Sequence, residues 1–154
     1  REDALTVMNF PARPPAPRPG LGDVAAALKA EPTIVLAARD GFAVFDSEEE
    51  ILGLSPDMDK VAKLDCLGLV ATAPGKDCDF VSRFFAPGQG IPEDPVTGSA
   101  HCTLVPYWAE RTGKDKLHAR QLSKRGGELF CENLGGRVKI AGRAVLFMEG
   151  TIRL

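Results

Sequence analysis

Five polar side chains, Glu93, Asp94, Thr97, Ser99 and His101, fall within nine positions of this chain, in a loop that also carries Pro92 and Pro95. Each carboxylate stands next to a proline, which fixes backbone φ beside it. Thr97-Gly98-Ser99 leads into Ala100–Arg111, whose apolar residues and following Gly113 predict a helix with a glycine stop. The first N–H groups of a helix have no partner inside it, and the positive end of its dipole favours an anion there. An acid beside such a helix start is suited to holding a carboxylic acid while one of its protons is moved. The same residues also serve plain structure, since Thr, Ser and Asp cap helices and a glycine can simply relieve crowding. The density of polar groups in one stiff loop favours a site.

Other candidate groups are more dispersed. Arg83 shares a strand face with Val81 and Phe85, and an arginine among apolar neighbours needs an anion, either a structural carboxylate or a substrate. Glu93 faces the neighbourhood of Asp94 or pairs with a basic residue. Arg125 opens the run Arg125-Gly126-Gly127, where the glycines read as a tight turn with positive φ; Arg125 either reaches an anionic ligand or lies on the surface. Cys66, Cys78, Cys102 and Cys131 are scattered without a CxxC pair and read as reduced thiols. Cys102 follows His101, but adjacent helical residues point in different directions, so Cys102 reads as a small packed side chain. No Cys/His pair has zinc-ligand spacing, and no metal is expected. Ser47-Glu48-Glu49-Glu50 reads as a capped, solvated helix start.

These groups must be positioned by a strand-rich chain. The patterning predicts a strand at Leu5–Pro11, a proline-dense extended segment over Pro11–Gly20 and a short helix over Asp23–Ala30. Thr33–Ala38 and Phe42–Asp46 form a hairpin across Arg39-Asp40-Gly41, because Asp-Gly is a strong turn signal. Ser55-Pro56-Asp57 starts a further helix through Met58, Val61 and Leu64. Strands are expected at Leu67–Ala73 and Asp79–Ala86, and after the main helix at Lys116–Lys124, Glu128–Glu132, Arg137–Ala141 and Ala144–Leu154. In the helix, Leu104, Val105, Trp108 and Ala109 form an apolar stripe, and Pro106 bends it or removes one hydrogen bond. The fold class is α+β, strands around one substantial apolar helix.

Composition narrows the function. The chain has 154 residues, 44% hydrophobic and 26% charged, with a net charge of −2, enough for one domain with a real core. A pI near 5.7 gives no general attraction to nucleic acid or anionic membrane. The basic set Lys116, His118, Arg120, Lys124 and Arg125 is offset by the acidic balance, and one Trp and one Tyr make a poor stacking platform. No apolar run approaches a membrane span. A cytoplasmic location is expected.

Arg83-Phe84-Phe85-Ala86-Pro87, Glu93-Asp94-Pro95-Val96-Thr97-Gly98-Ser99-Ala100-His101, Tyr107-Trp108 and Gln121-Leu122-Ser123-Lys124-Arg125-Gly126-Gly127 resemble the PhzF-like (phenazine-biosynthesis-like) family. The resemblance implies a diaminopimelate epimerase-like fold: a curled, mostly antiparallel sheet or barrel wrapped around a central helix, one of two pseudo-symmetric halves. Residues 1–154 would be the C-terminal half-domain, with the N-terminal half absent. It also implies a cofactor-independent isomerase in which a glutamate of the first half takes a proton from one carbon and returns it to another. The family's aspartate and serine map onto Asp94 and Ser99. Asp94 would hold or relay a proton or orient a substrate amine or hydroxyl, and Ser99 with the amides around Gly98–Ala100 would hold a carboxylate or enolate-like oxygen. Thr97, Glu93, Arg83 and Arg125 are further substrate-binding candidates. Expected partners are a small carboxylate-bearing substrate, the N-terminal half and a homodimer mate. The epimerase's catalytic cysteine has no counterpart in this turn. A second reading is a non-catalytic anion-binding or dimerising module.

Overall fold

The computed structural model describes residues 5–152. Strands β1 (Thr6–Pro11), β2 (Ile34–Ala37), β3 (Gly41–Val44), β4 (Leu69–Pro74), β5 (Phe80–Ala86), β6 (Ile91–Glu93), β7 (Lys116–Gln121), β8 (Gly127–Asn133) and β9 (Arg137–Gly142) form a single sheet. Its order is β1-β9-β8-β7-β5-β4-β3-β2, with β6 beside β5. The pairs β3/β4 and β5/β7 are parallel, and the others are antiparallel. Among the described residues four α-helices accompany the sheet, α1 (Val24–Leu28), α2 (Glu48–Gly53), α3 (Met58–Val61) and α4 (Gly98–Thr112), with one 3-10 turn at Pro87–Gln89. The α+β class and the mostly antiparallel sheet are as expected.

One helix organises the inner core. Leu104, Val105, Trp108 and Ala109 of α4 lie in one apolar cluster with Phe42 of β3, Val70 of β4, Phe80 and Phe84 of β5, Leu117 of β7, Leu129 of β8 and Val138 of β9. Phe10 of β1 and Leu36 of β2 complete it. A flat sheet cannot bring its first and last strands to one helix, so the sheet curls around α4. Trp108 stacks on Phe80 at 5.7 Å with ring planes 3° apart, and its indole N–H donates to Thr72 Oγ1. Burying Leu104 and Val105 stabilises the fold by about 1.5–3 kcal/mol each. The helix runs through Pro106 and stops at Gly113, whose φ of 70° is the left-handed value a glycine stop supplies.

The opposite face of β3, β4 and β5 is apolar too, which is why these strands read as continuous hydrophobic runs. Ala43, Phe45, Ala71, Val81 and Phe85 pack there under Val24, Leu28, Ile51 and Val61 of α1, α2 and α3. Short sequence signals start these helices. Asp23 and Asp57 accept from the amides of Ala26 and Lys60, and Ser47 with Glu50 forms a reciprocal capping box.

Three expectations are corrected. Residues 144–152 form no strand and are exposed; β1 and β8 take both sides of β9, so this segment cannot fold back as a hairpin onto the strand it follows. Arg153 and Leu154, the end of that expected strand, lie outside the described residues. The acidic run is not uniformly solvated, because Glu48 is buried, accepts the Lys76 amide at 2.9 Å and lies 3.8 Å from Arg120. A short strand, β6, lies inside the stretch expected to be loop, and pairs with β5 across a register shift at Phe85/Ala86.

Candidate functional site

Asp94 leaves β6 with its amide bonded to Phe84 O at 3.0 Å, which holds the polar loop against β5. The end of β7 secures the other side. Gln121, fully buried, accepts from the Thr97 amide at 2.7 Å through Oε1 and donates through Nε2 to Asp94 O at 2.7 Å and Thr97 Oγ1 at 3.1 Å. Thr97 Oγ1 therefore spends a lone pair on Gln121 and donates its own proton to Asp94 Oδ2, at 2.7 Å. Ser123 Oγ donates to Pro95 O and accepts from the Gly126 amide, tying the following turn to the same loop.

Because the Thr97 hydroxyl is turned to Asp94, it does not cap α4. Among the described residues, the amides of Gly98, Ser99 and Ala100 have no partner outside the helix. Gly98 is required neither by crowding nor by φ: a Cβ there would meet nothing within 4 Å. Its bare backbone faces open space. Ser99 Oγ accepts from Arg39 Nη2 at 2.9 Å, and Arg39 is forked onto the buried carboxylate of Asp40. Arg39, Asp40, Gln89, Asp94, Thr97 and Ser99 thus border one cavity of about 230 Å³, floored by Phe84 and Ala86.

The other candidates are placed elsewhere. Arg83 and Glu93 face each other in a two-pronged pair of 2.7 and 3.0 Å, and Arg83 Nη1 also donates to Ile51 O and Leu54 O. That engagement ties β5, β6 and α2 together and is the structural one of the two alternatives open for each residue. The apolar-face argument for Arg83 required an anion, and Glu93 supplies it. Arg125 does not border the Asp94 cavity; it lines an adjoining one of about 550 Å³ with Gly98 and Val96. The two glycines after it differ in purpose. Gly126 has the positive φ, 71°, whereas Gly127 is bare because a Cβ would overlap the Val96 side chain.

His101 is fully buried and donates from Nδ1 to Thr97 O at 2.8 Å, which fixes the tautomer with Nε2 unprotonated. Burial pushes its pKa down to about 4, so the ring is a neutral brace under the loop. The thiols are not nucleophiles by environment. Burial raises Cys102, and Cys131 is pushed up to about 12. Sequence reasoning missed three contributors. Arg39 and Asp40 were legible only as a hairpin turn, and Gln121 only as part of a motif; a buried amide completing a backbone's hydrogen bonds leaves no local spacing signal.

The phenazine biosynthesis-like (PhzC-PhzF) family matches residues 3–150. Two Pseudomonas aeruginosa proteins, each named an uncharacterized isomerase, are 49% and 44% identical over the whole of this chain, which covers 59% and 60% of their lengths. A crystal structure of a phenazine biosynthesis protein of the PhzF family from Enterococcus faecalis superposes with a TM-score of 0.91 at 40% identity, covering all of this chain and 60% of that one. The chain therefore spans about three-fifths of the length of these relatives. With the loop, the curled sheet and the matched residues in agreement, the chain belongs to the phenazine biosynthesis-like family.

Proposed function

We propose that this chain supplies one wall of a cofactor-independent isomerase site that moves a proton at carbon on a small carboxylate-bearing metabolite in the cytoplasm. The other wall, with the general-base glutamate, comes from an N-terminal half, for which the longer relatives have the length. Asp94 holds or relays the proton or orients a substrate amine or hydroxyl, and Ser99 with the amides of Gly98 and Ala100 receives a carboxylate or enolate-like oxygen. Thr97 steadies Asp94. The observation that carries the reading is that Asp94 and Ser99 border one cavity beside a helix start whose amides have no partner among the described residues. The isomerase names of the Pseudomonas aeruginosa relatives support it. Arg125, in the adjoining cavity with Gly98, can reach a second anionic group of a longer substrate.

The test is proton exchange. The protein, joined to any preceding coding sequence, is incubated in deuterated buffer with a panel of small carboxylates, and mass spectrometry reads deuterium gained at carbon. Gain that vanishes in Asp94→Asn supports the reading. Gain that survives Asp94→Asn and Ser99→Ala unchanged overturns it.

A further inference from the structure

We propose that Arg39 and Asp40 are positioning residues that fix the Ser99 hydroxyl as a hydrogen-bond donor to a carboxylate oxygen in the Asp94 cavity. The inference rests on the anion site proposed above and adds how its serine is aimed.

A guanidinium has five N–H donors and no acceptor, so any hydrogen bond between Arg39 and Ser99 runs from arginine to serine. Arg39 Nη2 is 2.9 Å from Ser99 Oγ. One lone pair of Ser99 is therefore occupied, and its single O–H must point away from Arg39. Among the described residues no carbonyl or carboxylate takes that proton, and Ser99 borders the cavity. The hydroxyl is left as a donor facing the space in which Asp94 stands.

Asp40 makes this orientation stiff. Its carboxylate is buried, 4% exposed, and holds Arg39 through Nε at 3.2 Å and Nη2 at 2.8 Å. A planar fork gripped on one edge cannot rotate, so Nη2 stays aimed at Ser99. Both residues sit in the tight turn between β2 and β3, with Arg39 sixty residues before Ser99 in sequence. Thr97 is set in the same manner by Gln121, with its proton directed to Asp94. The cavity thus holds two hydroxyls, each made a donor by a fixed N–H behind it.

The experiment is an acetate titration of the full chain followed by the amide NMR signals of Gly98, Ser99 and Ala100, in wild type, Arg39→Met, Ser99→Ala and the double variant. Wild type should show saturable shifts. Each single variant should weaken acetate about tenfold, the loss of one hydrogen bond to a charged group. The double variant should be no weaker than either single one, because Arg39 acts through Ser99. Arg39→Lys and Asp40→Asn, which are smaller changes, should lose about threefold and carry the test if Arg39→Met does not fold. Wild-type affinity in folded Arg39→Met, or in both Arg39→Lys and Asp40→Asn, or losses that multiply in the double variant, would overturn the positioning role while leaving the anion site standing. No saturable shift in wild type would overturn the site and this inference together.

Discussion

The amide of Arg13 donates to the carbonyl of Cys102 at 2.8 Å, the very acceptor that Pro106 leaves without its helical partner four residues on. Proline has no N–H to return to the preceding turn. The gap is filled by the proline-dense segment after β1, so an interruption inside α4 becomes the point where that segment docks.

Pro106→Ala would restore a competing donor to Cys102 O and favour the helix by up to about 3 kcal/mol of intrinsic propensity. The expected outcome is unchanged or higher protection along α4 with faster hydrogen exchange at the Arg13 amide. Unaltered exchange at Arg13 would contradict the coupling.

Asp94→Asn keeps an acceptor for the Thr97 hydroxyl and should preserve the fold. In the isomerase proposed above it should lower turnover by about 10²-fold or more. Glu48→Gln, remote from the cavity but buried against the Lys76 amide, should instead leave turnover alone and lower the melting temperature. Steady-state rates and thermal melts of the two variants separate these outcomes.

The Arg83–Glu93 pair is structural, with side chains only 14% and 23% exposed. Glu93→Ala should destabilise by about 2 kcal/mol, since a charge-assisted pair is lost and a largely buried guanidinium is left short of acceptors. Urea unfolding measures this. In folded Glu93→Ala, acetate affinity at Ser99 should stay close to that of wild type.

His101 predicts a pH dependence of stability. Its folded pKa, about 4, lies below the ordinary 6.5, so the unfolded chain takes up a proton first as pH falls. The stability from the neutral buried ring is fully present above the ordinary value of 6.5, is lost progressively as pH falls to about 4, and amounts to about 3 kcal/mol. His101→Gln should flatten this part of the profile relative to wild type. Parallel urea midpoints at about pH 7 and about pH 4.5, on either side of the ordinary histidine pKa, check it.

What the sequence displayed and what it hid follow from the range of the forces involved. The Asp40-Gly41 hairpin, the Gly113 stop and the Ser47 cap are decided by residues a few positions apart, and each is found where local chemistry put it. The polar loop was legible because its groups are contiguous. Arg39 and Gln121 were not, because their roles depend on contacts 60 and 24 residues away. Val145, Leu146 and Phe147 are apolar and strand-like in sequence, yet they are exposed and join no strand, because pairing depends on tertiary partners that propensity does not encode.

The bridge between Ala16 and Ala37 has a consequence for chain-to-chain pairing. β2 is the last strand of the sheet, with Ile34 and Val35 partly exposed, and such an edge is a template for a neighbouring molecule's strand. Ala16 occupies that edge with two 2.9 Å bonds, and it is flanked by Pro15 and Pro17, which have no N–H to give. The cover therefore cannot itself be extended by another strand. At Ala37, strand addition to β2 stops at a residue held between two prolines, and the segment that docks on α4 is the one that blunts this end of the edge.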